Sequence, residues 1–238
     1  MKTLKTVLSI TLLFIVGVTS CTFAQKSQRT EKDYPIKSFT WVKSNIMGNI
    51  VYTQSDHVKV HAKGDEELVD KLKVTEKEGE LHLFYEDKVK SLGAKKITVY
   101  ISSPIIEKIV MNGVGNFKME DAVAVDSLTI DFEGVGNFEA MELESNSIQA
   151  AYQGVGSLKL AGTTDLLDVT VEGVGNVDTK ELLANNTVIR ADGVGSVKCF
   201  ASKRIDLKNK GLGSITYYGN PEIKNMKNTG IGKIKAGE

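Results

Sequence analysis

The chain has 238 residues, with 30 Lys plus Arg against 30 Asp plus Glu, so its net charge at neutral pH is zero. That balance excludes a dedicated nucleic-acid binder, which needs a basic footprint. Glycine is abundant at 22 and proline scarce at 3, the balance of a chain with many tight turns and not of a disordered linker, and 41% hydrophobic residues are enough for a core.

The first residues read as an export signal. Lys2 and Lys5 precede an apolar run from Thr6 to Val18, and small residues follow. The run is short for a membrane span. Two processing routes fit. Thr22-Phe23-Ala24 before Gln25 suits ordinary cleavage, giving a signal peptide over residues 1–24. Val18-Thr19-Ser20-Cys21 suits a lipobox, giving a signal over residues 1–20 and a lipidated Cys21. Either route predicts an exported protein, an outer-membrane or periplasmic lipoprotein or a secreted one, that meets a membrane only through that anchor. Cys199 is the other cysteine, so no disulfide is expected despite the oxidising compartment. Residues 25–38 are polar and read as a flexible tether.

Residues 39–105 are rich in alternating segments such as Phe39-Thr-Trp41-Val, Val58-Lys-Val60-His and Leu81-His-Leu83-Phe, the period of half-buried strands. One short helix is predicted over Asp65 to Leu72, where Glu66, Glu67 and Leu68 favour it. This part reads as irregular rungs or a β-rich cap.

From residue 106 to 238 the chain is repetitive. Gly113-Val114-Gly115-Asn116 recurs with first glycines at Gly134, Gly154, Gly173 and Gly193, then in diverged form at Gly211 and Gly230, at spacings of 18 to 21 residues. A dinucleotide-binding glycine loop occurs once, between a strand and a helix; seven copies among β-like runs are something else. Aligning the copies gives apolar columns. Ile109, Ile130, Ala150, Val169, Ile189, Leu207 and Met226 stand four positions before the first glycine. Phe117, Phe138, Leu158, Val177, Val197, Ile215 and Ile234 stand two after the second. Val114, Val135, Val155, Val174, Val194, Leu212 and Ile231 stand between the glycines; this column too is assigned to the core, so that Val155→Asp is expected to unfold the middle of the molecule. The glycines mark a corner where one rung passes close over the next, and the Asn or Ser after them can form a polar ladder. A rung of about 20 residues cannot bury its own apolar face, and stacking solves that. The predicted fold is all-β, a single-stranded parallel β-helix, or β-solenoid. The far end shows no cap, but Lys224, Lys227, Lys233 and Lys235 discourage edge pairing there.

The repeated corners, the opening Gly48-Asn49-Ile50-Val51-Tyr52-Thr-Gln54 and the closing Gly211-Leu-Gly-Ser-Ile-Thr-Tyr217-Tyr218-Gly219-Asn-Pro221 resemble the "putative auto-transporter adhesin, head GIN domain" family, from about Phe39 to Lys235. The resemblance implies an exported β-helical protein of Bacteroidetes-type bacteria and, through the family's name, adhesion. It brings no catalytic residues with it.

Candidate chemistry is sparse. His57, His61 and His82 lack metal-ligand spacing and read as solvent-facing strand residues. Cys199 falls in an apolar column and reads as a small hydrophobe. Asn112, Glu133, Gln153, Glu172 and Asp192 form an exterior stripe whose oxygens could hold Ca²⁺ on successive rungs, although a solvated face explains it better. Tyr152 and Tyr217 fall at inward phases, which leaves Tyr218 as the aromatic expected to contact a ligand. No cofactor, metal or catalytic residue is assigned, and the protein is read as a non-enzyme. The leading function is an adhesin-like surface binding module, with glycans or surface proteins as partners and homo-oligomers as an option. The alternatives are a structural envelope protein assembling end to end and, third, a polysaccharide-active β-helix enzyme. The last is disfavoured by uniform rungs without long loops and by only two arginines, Arg190 and Arg204, in the repeats.

Overall fold

The computed structural model describes residues 28–86 and 96–238. The signal sequence and Cys21 lie outside the described residues. In chain order the elements are β1 (Arg29–Asp33), β2 (Trp41–Ser44), β3 (Asn49–Gln54), β4 (Lys59–Asp65), α1 (Glu66–Lys71), β5 (Leu72–Lys77), β6 (Glu80–Tyr85), β7 (Ile97–Ser103), β8 (Lys108–Met111) and β9 (Phe117–Met119). Then follow β10 (Val123–Phe132), β11 (Val135–Tyr152), β12 (Val155–Val171), β13 (Val174–Ala191), β14 (Val197–Phe200), β15 (Arg204–Asn209), β16 (Ile215–Tyr218), β17 (Glu222–Asn228) and β18 (Ile234–Ala236).

The pairings build a solenoid with two faces. One stack runs β7, β3, β9, the first halves of β11, β12 and β13, then β14, β16 and β18, all parallel. The other runs β6, β2, β8, β10, the second halves of β11, β12 and β13, then β15 and β17, again parallel. β11, β12 and β13 each cross from one face to the other through a bend where the register shifts, at Ala140/Leu143 and at Lys159/Ala161. The chain returns at the Gly-Φ-Gly corner. Two of the three apolar columns fill the space between the faces: Ile109 through Leu207 and Phe117 through Ile215 are buried. Each such aliphatic contributes on the order of 1.5–3 kcal/mol. Phe117 stacks on Phe138 at 5.1 Å and Phe132 on Tyr152 at 5.3 Å, rung upon rung.

The third column does not belong to the core. Val114, Val135, Val155, Val174, Val194 and Leu212 are 45–52% exposed and Ile231 is 75% exposed. The glycines dictate this. Gly136 has φ +147, a conformation that L side chains rarely adopt. A Cβ on Gly134 would fall inside the carbonyl oxygen of Gly113, and one on Gly136 inside that of Gly115. The two glycines therefore turn their backbone onto the rung below, and the residue between them points out. Val155 lies on the surface, and the expected unfolding by Val155→Asp is withdrawn.

The inward position before the corner changes character along the molecule. Phe132, Tyr152, Val171 and Ala191 are followed by Asn209, which is 2% exposed. Its Nδ2 donates to the carbonyl of Gly213 at 3.0 Å and to Oδ1 of Asn228 at 2.9 Å, while Asn228 Nδ2 donates to Gly232 at 2.9 Å. An internal amide ladder thus braces the two diverged corners. Cys199 is fully buried, and burial pushes its thiol up to about 12.

The two ends differ. At the first, β4 pairs antiparallel with β7, β1 antiparallel with β4, and β5 antiparallel with β6. Helix α1 lies there with Leu68 and Val69 buried, one residue shorter at each end than predicted. Residues 29–33, expected in the flexible tether, form β1. Backbone pairing with β4 holds it, and side chains add to this: Lys63 Nζ lies 2.5 Å from Glu31 and His61 Nδ1 2.8 Å from Asp33. At the other end β17 is exposed throughout, and Met226 and Ile223 are 39% and 48% exposed, because no rung covers them.

Two outcomes follow from this packing. Val155→Asp should leave the thermal midpoint within about 2 °C of the parent, as surface substitutions do, whereas Leu158→Ala should cost about 2–5 kcal/mol and lower the midpoint by several degrees. Differential scanning calorimetry of the two variants measures both, and a large loss from Val155→Asp would contradict the assignment of that column to the surface. Cys199 should stay unreactive to a thiol reagent at pH 8 in the folded protein and react at once in denaturant.

A candidate binding groove opposite the glycine corner

The bend opposite the corner is where the rungs are least regular. The register shift leaves Gly162 at φ +126, and the chain dips between the faces. The hollow is a groove of about 780 Å³ lined by Asp126, Glu144, Asn146, Thr163, Asp165 and Leu183, among others. A second hollow of about 370 Å³, bordered by Gln54, Met141 and Glu142, adjoins it and shares Ala124, Glu144 and Thr163. The groove therefore runs along the stack, across successive rungs.

Its walls combine amides, carboxylates and aliphatic surface. Asn146 Nδ2 donates to Asp126 Oδ1 at 2.6 Å, Asn185 Nδ2 donates to Asp165 Oδ1, and Ser202 Oγ donates to Asn185 Oδ1 at 2.9 Å. Beneath this ladder, Ser145 and Thr164 are buried and their hydroxyls are spent on the backbone carbonyls of Asp126, Ser147 and Leu166. Leu183 stands 54% exposed at the edge. Gln54 closes one end: its amide donates to Pro104 and Ala124 carbonyls at 2.7 and 3.0 Å and accepts from the Ala124 N–H at 2.8 Å. Such an array can accept hydrogen bonds from hydroxyls or amides that repeat at the rung spacing of about 4.8 Å.

The groove was missed in the sequence, although a signal was there. Asp126, Asn146, Asp165 and Asn185 each stand eight positions before a first glycine. They alternate Asp and Asn in a polar column that lies outside the core and away from the corner.

The residues singled out from sequence are scattered. Tyr218 is half-buried in the penultimate rung beside Phe200, with Gly237 against its ring, and does not line the groove. Tyr152 is buried and Tyr217 packs partly buried against the core. His61 sits under the carboxylates of β1 with its side chain 17% exposed, less open than expected. His82 Nε2 lies 2.8 Å from Asn45 Oδ1, its ring on Phe84, and burial lowers its basicity. His57 is exposed elsewhere. The exterior stripe runs along one shoulder of the glycine corner, where Gln153 Nε2 donates to Glu172 Oε2 at 3.1 Å. Among the described residues, no three His, Cys, Asp or Glu side chains gather to hold a metal ion.

The other shoulder carries the predicted polar ladder. Asn116 donates to Asn49 Oδ1 through its backbone N–H at 3.0 Å and its Nδ2 at 3.3 Å, and Asn137 donates to Asn116 in the same way at 2.9 and 3.0 Å. Ser157 Oγ donates to Asn137 at 2.6 Å and Ser196 Oγ to Asn176 at 2.7 Å.

Comparison with solved structures finds the same fold in proteins of Bacteroides and Parabacteroides. A "putative adhesin" from Bacteroides fragilis is 32% identical with a TM-score of 0.84, covering 88% of this chain and 97% of its own. A "putative lipid binding protein" from Parabacteroides distasonis shares 19% identity with a TM-score of 0.70, over 90% of this chain and 98% of its own. A "putative adhesin" from Parabacteroides merdae shares 17% with a TM-score of 0.62, over 90% and 98%. Comparison with curated proteins finds no match. The model of the family described as "Putative auto-transporter adhesin, head GIN domain" matches residues 38–221, and the chain belongs to that family.

Proposed function

We propose that this protein is a non-catalytic, exported binding module of the cell envelope that holds an extended polar ligand, a glycan chain or a segment of a surface protein, along the groove opposite the glycine corner. The observation that carries the reading is the Asp126–Asn146–Asp165–Asn185 ladder. It supplies hydrogen-bonding groups at one per rung beside an exposed leucine, with no nucleophile–base pair among the groove residues. The family's description and the Bacteroides fragilis structure, both adhesin by name, support the same reading.

Placement at the envelope completes it. With Cys21 acylated, residues 22–28 are all that separate the lipid from β1, a reach of at most about 25 Å. The capped end then lies at the membrane, and the stack, with the groove along one edge, extends away from it. With cleavage after Ala24 the same module is released.

The test is retention of the purified mature chain on a panel of glycans and matrix proteins, with Asn146→Ala/Asn185→Ala and Tyr218→Ala beside the parent. Two lost hydrogen bonds should weaken binding about tenfold, and Tyr218→Ala should matter less. A folded parent that binds nothing, or binding indifferent to the groove substitutions, would sink the proposal. Mass spectrometry of the mature N-terminus distinguishes an acylated Cys21 from a free Gln25.

A further inference from the structure

The outward aliphatic column is a feature that neither the core nor the groove uses. From Met47 to Ile231 its eight members pair rung to rung without interruption. Seven steps of about 4.8 Å make a ridge roughly 34 Å long. Its backbone is already spent: the Val135 N–H donates to Gly113 and the Val135 carbonyl accepts from Gly115. What remains open is side chain only, about half exposed in every rung from Val114 to Leu212. A strip of this extent matches the largest apolar patch of a typical monomer, and such patches are often functional.

We propose that two copies of this chain pack side by side through this ridge, in parallel, about a two-fold axis that runs along it. Periodicity selects the occupant. A partner that fills the ridge along its length must itself present apolar side chains every 4.8 Å, and the ridge of a second copy does so in register. The tether and the corner ladder select the orientation. Parallel packing brings both capped ends together, as two copies tethered to one membrane require, a point that rests on the anchor reading above. It also sets the shoulder that carries Glu133, Glu172 and Asp192 across from amides and a hydroxyl of the other copy in the same rung, Glu133 from Asn137, Glu172 from Asn176 and Asp192 from Ser196, whereas an antiparallel pair centred on Val174 sets Glu172 against Glu172. The next column, Lys118, Glu139, Lys159, Asp178 and Lys198, carries both signs and does not discriminate.

The strip between the shoulders is about 13 Å wide, so each copy buries roughly 450 Å² and the pair about 900 Å². That is the low end of specific interfaces. It corresponds to a reversible dimer with micromolar affinity in solution, strengthened where both copies share a membrane.

Sedimentation equilibrium of the mature chain tests this. A monomer–dimer equilibrium is expected below about 100 µM. Val155→Glu/Val174→Glu should weaken it at least tenfold with an unchanged melting temperature. Orientation is read by cross-linking with a bismaleimide of about 10 Å span, the distance between packed sheet faces. Val114→Cys chains should cross-link to one another, and Val114→Cys should not cross-link to Leu212→Cys. Cys199 is buried and stays silent. A chain that stays monomeric throughout overturns the proposal and leaves the ridge to a partner of another kind. So does a dimer indifferent to the glutamates, which would place the contact elsewhere, as at the uncovered last rung. A cross-link between positions 114 and 212 overturns the orientation. Failure of the groove reading would move none of these readouts.

Discussion

Every rung of this molecule rests on backbone laid directly over backbone at the glycine corner. From Gly134 on, the first glycine of each corner sits where a Cβ would overlap the carbonyl oxygen of the glycine one rung below, and the second, at every corner but that of Gly213, adds a positive φ that a side chain would oppose. With the corner fixed, the rung height is fixed, and the two faces follow at the strand spacing of a parallel sheet. The Asn and Ser residues beside the corner reinforce it by accepting backbone N–H groups of the next rung, as Asn116 does from Asn137. Packing then adds the large favourable term, through columns of like residues stacked on like.

The same constraint explains the variation along the axis. Near the first rungs the inward column before the corner holds Met111, Phe132 and Tyr152, and it shrinks to Val171 and Ala191 before turning polar at Asn209 and Asn228. The amides are tolerated because each finds a corner carbonyl and they bond to one another. The ends are handled in different ways. The first is closed by antiparallel strands and a short helix that turn the chain out of the winding direction. The last leaves β17 paired on one side only, with lysines as its protection against further pairing.

Function follows from what the winding leaves free. The faces are regular and solvated, one of them carrying alternating charge at Lys118, Glu139, Lys159, Asp178 and Lys198. The two narrow edges break that regularity. One is a groove with a ladder of amides and carboxylates, and the other is an aliphatic ridge. A molecule with a recess on one edge and an apolar ridge on the other can hold a ligand and a neighbour at once, without competition between them.

The sequence by itself determined the winding. Seven Gly-Φ-Gly corners at spacings of 18 to 21 residues, with two columns of alternating apolar residues, specify a solenoid, because only stacked rungs bury such a pattern. The short helix near Asp65 and the polar ladder after the corner were legible for the same reason: local signals that agree with the winding. What only the tertiary structure decided was direction. Val155 is as apolar as Leu158, and hydropathy cannot say that the glycines on either side of it turn it outward. β1 was unreadable because its partner strand β4, with Lys63 and His61, lies about thirty residues away, so its pairing is a fact of the tertiary fold. The groove was hidden in a column that looks like solvated surface until the bend brings Asp126, Asn146, Asp165 and Asn185 into one recess, since concavity is a property of the chain's path and not of its composition.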